Sequence, residues 1–391
     1  MDLKSSERTD ALRRELRALI AEEAPKIHLR NGTRVVEDPA QWEAWKKWSA
    51  RLYEKKFVGR SWPVEFGGVA DNTPMDEFVV ASELARSRVP TLLYFATYAA
   101  HAIIKYGTRQ QQEYFLPRTC NSDIVWCQLF SEPGGGSDLA ALKTRARRDG
   151  DVYRINGQKV WNTQAQMADY GFLLARTSPD GSKHAGITAF LINMRQPGVT
   201  VRPIREITGT EDFNEVFFAD AEIPIENRIG EEGEGWKVAT STLAKERINT
   251  AAYGVATRNS MDDLIATASR IKTERGLQDG VRHRLASLHA ECQISNLLGL
   301  VIATREAAGN PRLGDPPVAK LFFSNTNLAV ATMALELLGE QGLYQESEPS
   351  AVELGRWPDM FLYARAYTIA GGSSEIVRNI LSERVLGMPR D

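Results

Sequence analysis

Apolar and polar residues recur along this chain with two different periods, and the changes between them divide it into three parts. In the first part apolar residues recur every three or four positions, as they do on the buried face of a helix. These periodic runs cover residues 8–23, 40–57, 75–88 and 91–118. Gly107 interrupts the last run, which ends near Pro117, so the first third of the chain is predicted to be mostly α-helical.

From about residue 123 the pattern changes to alternating apolar and polar residues or to short apolar runs, which is typical of β-strands. Strands are predicted at 151–161, 172–176, 187–192 and 215–218. Asn156-Gly157, within the first of these ranges, is a turn signal. A segment rich in glycine and acidic residues at 223–236 is predicted to be a linker, so the middle of the chain is expected to be all-β.

Helical periodicity returns after Trp236 and continues to the end of the sequence. The periodic runs cover 237–271, 281–308, 317–339 and 373–386. Four helices of that length predict an antiparallel bundle. The predicted order is therefore α, then β, then α, and 391 residues exceed what one hydrophobic core usually serves.

Composition and charge exclude some classes of protein. The chain carries 48 Lys and Arg against 50 Asp and Glu, and 48 − 50 gives the formal net charge of −2. With 43% hydrophobic and 25% charged residues, the chain is expected to fold rather than to be disordered. No excess of basic residues is available to neutralise phosphates, which argues against nucleic-acid binding.

The N-terminus has no apolar signal region, and no segment approaches the ~20 apolar residues of a membrane helix. A cytoplasmic protein without a membrane span is therefore expected. The three cysteines lack a CxxC spacing, and the five histidines are scattered. These residues predict neither a disulfide framework nor a metal site.

The strongest local signal is the run of three glycines in the segment 128–138, Gln-Leu-Phe-Ser-Glu-Pro-Gly-Gly-Gly-Ser-Asp. Glycines after a proline let backbone amides point at an anionic or polar group without interference from Cβ atoms. A glycine run by itself is more often a flexible turn, so its context decides. That context is a series of further motifs, at 62–68, 156–161, 224–230 and 371–376.

Taken with the loop at 131–138, these motifs make the chain resemble the acyl-CoA dehydrogenase superfamily over almost its whole length. The resemblance implies an α+β fold. Its parts are an N-terminal α-helical domain at 1–122, a middle β-barrel domain at 123–232 and a C-terminal four-helix bundle at 233–391. It also implies that FAD lies between barrel and bundle, near a subunit interface.

The resemblance assigns cofactor contacts, position by position, to Gln128, Phe130, Ser131, Ser137, Trp161, Thr163 and Ser373. Trp161 is expected to stack beside the isoalloxazine, and Thr163 to hydrogen-bond near N5. Ser137 is expected to contact the pyrophosphate or the nearby substrate. Outside this motif, Trp161 would be more typical of a core aromatic residue in a strand.

The reaction of this family needs a base for the α-proton. Many members carry a glutamate where this chain has Gly371, so that carboxylate is missing and the backbone N–H is left to polarise the thioester carbonyl. Members similar to isovaleryl-CoA dehydrogenase place the base in a Leu-x-x-Glu-Arg sequence, which here reads Leu243-Ala-Lys-Glu246-Arg247. The i±3 and i±4 neighbours of Glu246 are not basic, so a surface ion pair does not explain it. Glu246 is the predicted base, and Ser137, Arg247 and Gly371 are predicted to contact substrate.

Two departures from the family pattern fall on one function. The family's Arg-x-x-Phe-Gly, whose arginine reaches the FAD of a neighbouring subunit, is absent from residues 270–285. The glycine-rich stretch that also contacts that FAD here reads Glu336-Leu-Leu-Gly-Glu-Gln-Gly342, which places carboxylates where a diphosphate would lie. The chain therefore resembles the α2β2 heteromeric enzymes of actinobacterial steroid side-chain catabolism, and a tetramer with a related chain is expected.

The predicted function is FAD-dependent α,β-dehydrogenation of an acyl-CoA thioester to the trans-2-enoyl-CoA, with electron-transferring flavoprotein or a similar acceptor. Ala370, Gly371 and Gly372 leave space where many members have larger residues, which favours a bulky or branched acyl group such as a steroid side chain. Two alternatives stay open: a non-catalytic partner subunit of a heteromer, and a flavin oxidase or monooxygenase on the same fold.

Overall fold

The computed structural model describes residues 6–26, 36, 38–89, 93–178, 183–249, 251–346 and 348–389. Side chains at 93–95, 243–249, 251–252 and 274–275 lie outside this description. The helices are α1 Glu7–Glu23, α2 Pro39–Glu54, α3 Pro74–Ser87, α4 Leu93–Tyr106, α5 Arg109–Cys120, α6 Gly235–Asn249, α7 Ala251–Arg275, α8 Val281–Ala307, α9 Asp315–Leu338, α10 Arg356–Ile369 and α11 Ser374–Ile380. The strands are β1 Trp126–Leu129, β2 Arg145–Asp149, β3 Val152–Lys159, β4 Tyr170–Arg176, β5 Ile187–Asn193, β6 Val199–Ile204, β7 Phe213–Pro224 and β8 Arg228–Ile229.

The order of these elements is α, then β, then α, as the periodicity predicts. The chain also divides into two compact units, and each unit combines segments that are separated in sequence. The bundle unit comprises Met1–Gly32, Thr73–Pro90 and Arg247–Asp391, and the sheet unit comprises Thr33–Asn72 and Thr91–Glu246. The predicted domain boundaries at 122 and 232 stay a prediction.

The sheet unit contains one eight-stranded sheet in the order β6-β7-β3-β2-β4-β5-β8, with β1 pairing parallel to β4. Both faces of its central strands are buried, which explains their continuous apolar sequence. Phe172 and Leu174 of β4 join a core with α4 and α6, whereas Leu173 and Ala175 join a second core on the opposite face. The four predicted strands are present. The short β1 and β8 and the arginine-rich β2 lack the alternating pattern and were not predicted. Strand β6 was not predicted either, because its Pro203 is more typical of a connection.

The turn expected at Asn156-Gly157 is wrong, because both residues lie within β3. The pairing of β3 with β7 shifts register between Ile155 and Gly157, and Gly157 has φ +150. A Cβ on Gly157 would lie 2.6 Å from Oγ1 of Thr144. The glycine therefore marks a bulge with close chain approach rather than a hairpin turn.

The bundle unit is built on α7, α8, α9 and α10, whose buried side chains form one apolar core. Met261 of α7, Cys292 of α8, Val330 of α9 and Trp357 of α10 belong to it. Helix α10 was not predicted. The predicted run 373–386 is shorter as an α-helix, since α11 ends at Ile380 and continues as a π-helical turn.

Helices α1 and α3 belong to the bundle unit, although they lie far from α7 to α11 in sequence. Helix α3 packs against α1, α7 and α8. Two buried carboxylates of α3 pair with arginines of α1: Asp76 with Arg8 at 2.8 Å, and Glu83 with Arg17 at 2.6 Å. These pairs explain why arginines recur on the polar face of α1.

Candidate active site

The glycine-rich loop 131–138 follows β1 and is closed by its own backbone. The N–H of Glu132 donates to the carbonyl of Gly135 at 3.1 Å, and the N–H of Gly135 donates back at 3.0 Å. A Cβ on Gly134 would meet no atom within 4 Å, and Ser137 is exposed. The loop therefore leaves glycine backbone and a hydroxyl accessible to a polar ligand.

A buried ion pair joins the start of this loop to the end of β3. Lys159 is fully buried, and its Nζ donates to Oε1 of Glu132 at 2.9 Å and to the carbonyl oxygen of Phe130 at 3.0 Å. Glu132 also accepts the backbone N–H groups of Lys143 and Thr144 at 2.6 and 2.8 Å. These bonds satisfy both charges and fix the backbone from Phe130 to Glu132.

The pKa values of this pair reflect burial and mutual attraction. Burial lowers the pKa of Lys159 to about 8, although the Glu132 charge acts in the opposite direction. Burial raises the pKa of Glu132, but the Lys159 ammonium and the hydrogen bonds from Thr144 and Lys143 outweigh it, so this pKa is lowered overall. Both groups are therefore charged at neutral pH.

Trp161, just after β3, has its backbone in the left-handed region, with φ +62. Its side chain is 59% exposed and contacts Phe213 edge-on, with 6.1 Å between ring centroids. An exposed indole on strained backbone contributes little to the fold and offers an apolar surface to a planar ligand. The ring of Phe130, in contrast to that of Trp161, is buried, and its centroid lies 5.3 Å from the centroid of the Phe172 ring.

Buried amide side chains surround the residues that follow Trp161. Nδ2 of Asn162 donates to the carbonyl of Gln128 at 2.8 Å, and Nδ2 of Asn214 donates to the carbonyl of Asn162 at 2.9 Å. Within the described residues, Nε2 of Gln128 and Gln164 and Oδ1 of Asn162 and Asn214 have no hydrogen-bond partner. A buried polar atom left in this way costs about 1–3 kcal/mol, so a ligand with both donors and acceptors fits here.

The structure brings several predicted cofactor residues together in the sheet unit. The N–H of Val160 donates to the carbonyl of Ser131 at 3.0 Å, which joins β3 to the glycine-rich loop. Thr163 is buried two residues beyond Trp161. The residues that sequence reasoning missed are Asn162, Gln164 and Asn214; the first two lie beside the predicted positions and could have been found there.

The predicted base Glu246 and its neighbour Arg247 lie in α6. The boundary between the two units falls between these two residues. Both side chains lie outside the described part of the chain. Their predicted roles therefore stay predictions, supported by their helical position alone.

In the bundle unit, Gly371 and Gly372 form the turn between α10 and α11, with φ of +67 and +97. Nζ of Lys320, a buried residue of α9, donates to the carbonyl of Gly372 at 2.6 Å. The hydroxyl of Ser373 accepts the N–H of Ile376 at 3.3 Å and so caps α11. Sequence reasoning missed Lys320, although a lysine between apolar residues of a helix is itself a signal.

An aromatic cluster lies beside this turn on α7, α9 and α10. The ring of Tyr253 stacks on that of Phe323, with 4.9 Å between centroids, and the ring of Phe323 contacts that of Tyr367 edge-on, with 5.2 Å between centroids. Tyr363 meets Tyr367 at 5.4 Å. The cluster gives the turn-bearing end of α10 a rigid apolar support.

Cysteines and metal-binding residues form no further site within the described residues. The three cysteines are free and buried, and burial raises the pKa of the Cys127 thiol. Within the described ranges no group of three or more His, Cys, Asp or Glu could hold a metal ion.

Two described helices are long and apolar enough to cross a membrane by length and composition alone, Val281–Ala307 and Asp315–Leu343. By that criterion the expectation that no segment resembles a membrane helix is not met. The test is weak evidence, because core helices pass it too, and half of the second apolar stretch is buried inside the protein. The expected cytoplasmic location without a membrane span stays a prediction.

Three family models match the chain in order along its length. The acyl-CoA dehydrogenase N-terminal domain matches residues 6–123, the middle domain matches 127–221 and the C-terminal domain matches 233–386. The chain therefore belongs to the acyl-CoA dehydrogenase family, and the resemblance inferred from its motifs is confirmed. The predicted fold class is confirmed with it, as a helical N-terminal, a β middle and a helical C-terminal domain.

Individual proteins of this family are similar to the chain over most or all of its length. The chain is 37% identical over 349 residues to acyl-CoA dehydrogenase IpdE1 of Mycobacterium tuberculosis, covering 88% of each chain. A structure described as the Tcur3481-Tcur3483 steroid ACAD matches at 29% identity and a TM-score of 0.89, over 100% of both chains. The ChsE4-ChsE5 complex from Mycobacterium tuberculosis matches at 29% identity and a TM-score of 0.85, also over 100% of both. Heteromeric complexes therefore occur among the relatives.

Proposed function

We propose that this chain catalyses FAD-dependent α,β-dehydrogenation of an acyl-CoA thioester to the trans-2-enoyl-CoA. The observation that carries the proposal is the exposed Trp161 on left-handed backbone, next to buried amide side chains that each have one atom without a hydrogen-bond partner among the described residues. A flat ring with hydrogen-bonding groups along its edge satisfies both features, and a flavin is such a ring. FAD would be held by Gln128, Phe130, Ser131, Ser137, Trp161, Thr163 and Ser373.

FAD, when bound, supplies the acceptor for the hydride from the β-carbon. The chain's own residues do the rest. Trp161 covers the ring and excludes water, while the backbone of the glycine-rich loop and the Ser137 hydroxyl bind polar groups of cofactor or substrate. The ring of Phe130 is buried in the sheet core, so its contribution comes from its backbone.

Glu246 is the proposed base that removes the α-proton. Gly371 has no side chain, so its turn offers no carboxylate, and α6 carries the alternative in the sequence Leu243-Ala-Lys-Glu246-Arg247. The N–H of Gly371 donates to the thioester carbonyl and stabilises the negative charge that develops as the proton leaves. Arg247 and Ser137 contact the substrate.

The base is tested by Glu246→Gln, which keeps the shape of the side chain and removes its basicity. We expect turnover to fall by about 10²–10⁴-fold, while acyl-CoA binding, followed by flavin absorbance, is retained. Glu231→Gln removes an exposed carboxylate of the sheet unit and should leave turnover unchanged. Unaltered turnover in Glu246→Gln would instead favour the partner-subunit function.

We propose further that the chain works in an α2β2 tetramer with a related chain. The supporting observations are the heteromeric relatives and the missing arginine and glycine-rich motifs at 270–285 and 336–342. Glu336 pairs with Arg284 of this same chain, so this arginine is engaged internally. Expression alone and with neighbouring reading frames, followed by FAD per chain, tests the assembly; full FAD occupancy and turnover by the lone chain contradicts it.

The proposed substrate carries a bulky or branched acyl group, such as a steroid side chain. Ala370 and the two glycines that follow leave space at the turn, and one solved relative is described as a steroid ACAD. Titration with a panel of acyl-CoAs, followed by flavin bleaching, tests the substrate class. Bleaching by short straight-chain acyl-CoAs but not by bulky ones contradicts it.

Two alternative functions have distinct outcomes. The glycine at 371 favours a non-catalytic partner subunit, because the usual carboxylate is absent there. A flavin oxidase or monooxygenase differs in its reoxidation by oxygen. Turnover with an artificial electron acceptor under anaerobic conditions, without peroxide release in air, supports the dehydrogenase and electron transfer to a flavoprotein acceptor.

A further inference from the structure

The turn between α10 and α11 carries the N–H that the proposed mechanism uses, yet its own residues do little to fix it. Gly371 is exposed, and both glycines have positive φ. A Cβ on Gly372 would meet Val377 at 3.6 Å, which is ordinary contact. Glycine is therefore present for its backbone freedom rather than for lack of space, and such a turn is mobile unless another group holds it.

A lysine from a different helix is the group that fixes this turn. Nζ of Lys320 lies 2.6 Å from the carbonyl oxygen of Gly372, and its side chain is 7% exposed. Burying an ammonium is costly unless charged hydrogen bonds compensate it. Phe323, three residues later on α9, packs against Tyr367 near the end of α10, so the same helix face supports both the turn and the helix before it.

We infer that Lys320 is a positioning residue that fixes the Gly371–Gly372 turn so that the Gly371 N–H points at the thioester carbonyl. The role of Lys320 rests on the proposed function, because that N–H has a task only if a thioester binds. Ser373 and Ser374 fix the flanks, by capping α11 and by a hydroxyl that donates to the carbonyl of Thr368 at 3.3 Å. Lys320 fixes the glycine pair itself.

Whether Lys320 fixes the turn is tested first in the full chain without ligand. Amide hydrogen exchange is measured at residues 371–373 in wild type, Lys320→Met and Lys320→Arg. We expect exchange at least tenfold faster at these amides in Lys320→Met and near wild type in Lys320→Arg, which keeps a donor, with α9 unchanged in both. Lys272→Met, which removes an exposed lysine of α7, is the control. Unchanged exchange at 371–373 in Lys320→Met overturns the inference.

The second test reads the carbonyl directly. A trans-2-enoyl-CoA that carries a steroid side chain as its acyl group and is labelled with ¹³C at its carbonyl is bound to the FAD-loaded protein, together with any chain that copurifies, and its infrared band is recorded. We expect the wild type and Lys320→Arg to shift this band to lower frequency than in free solution, and Lys320→Met to lose most of the shift. A full shift in Lys320→Met overturns the role of Lys320 alone. No shift in the wild type overturns the thioester site, and with it both proposals.

Discussion

Each of the two units contains a motif segment that is fixed by a buried lysine of its own, and the two lysines act differently. In the sheet unit Lys159 meets a carboxylate, Glu132, and both belong to the motifs whose backbone they fix. In the bundle unit Lys320 reaches from α9 to the carbonyl of Gly372, outside its own motif. The first segment is therefore held by charges that depend on each other, and the second by a donor that a neighbouring helix supplies.

Glu132→Gln should have the largest effect on stability. It leaves the fully buried Lys159 without its counter-charge, and breaking a buried ion pair in this way typically costs about 3–5 kcal/mol. The free energy of unfolding by urea measures the loss.

Two further variants make this prediction specific. Lys159→Met combined with Glu132→Gln removes both charges and should recover part of the stability, because no unpaired charge stays buried. Lys183→Met breaks the exposed pair with Asp138 at 2.6 Å and should cost no more than about 1 kcal/mol. Equal losses in Glu132→Gln and Lys183→Met contradict the role given to burial.

The glycines of the two units should respond differently to alanine. Gly157→Ala places a Cβ 2.6 Å from Oγ1 and 2.7 Å from Cα of Thr144, and we expect a loss of about 2–4 kcal/mol from overpacking and strain. Gly372→Ala meets side chains at ordinary distances, so strain at φ +97 should limit its loss to about 1–3 kcal/mol. Thermal unfolding compares the two; a larger loss in Gly372→Ala contradicts this difference.

Trp161→Gly should separate stability from cofactor binding. Glycine adopts φ +62 without strain, and the exposed indole loses little more than its edge contact with Phe213. We expect the free energy of unfolding without ligand to change by less than about 1 kcal/mol, while the dissociation constant for FAD rises at least tenfold. Trp161→Phe keeps an aromatic surface and should retain most of the affinity. FAD binding unaltered in Trp161→Gly excludes the stacking role.

The smallest effect concerns pH. Because the pKa of Glu132 is lowered in the folded chain, its contribution to stability is fully present above the ordinary glutamate pKa. The contribution is lost as pH falls through the folded pKa. The stability difference between wild type and Glu132→Gln should therefore shrink in acid, as followed by urea unfolding at a series of pH values. A difference that grows in acid contradicts the lowered pKa.

The sequence by itself determined the order of helical and β regions, the family and the candidate residues around the glycine-rich loop. These follow from local information, because apolar period reports secondary structure and the motifs are contiguous. Local information also misled where a bulge imitates a turn, at Asn156-Gly157. It missed α10, the proline-containing β6 and the short or arginine-rich strands, whose formation depends on neighbours that supply pairing and packing.

Tertiary structure alone decided which distant groups meet. The pairing of Lys159 with Glu132, the hydrogen bonds that the amides of Asn162 and Asn214 donate to distant carbonyls, and the contact of Lys320 with Gly372 each join separate segments. It also decided that α1 and α3 pack with the bundle helices. The physical reason is the same throughout: the free energy of a buried charge or amide depends on the partner that folding brings to it, and sequence spacing does not specify that partner.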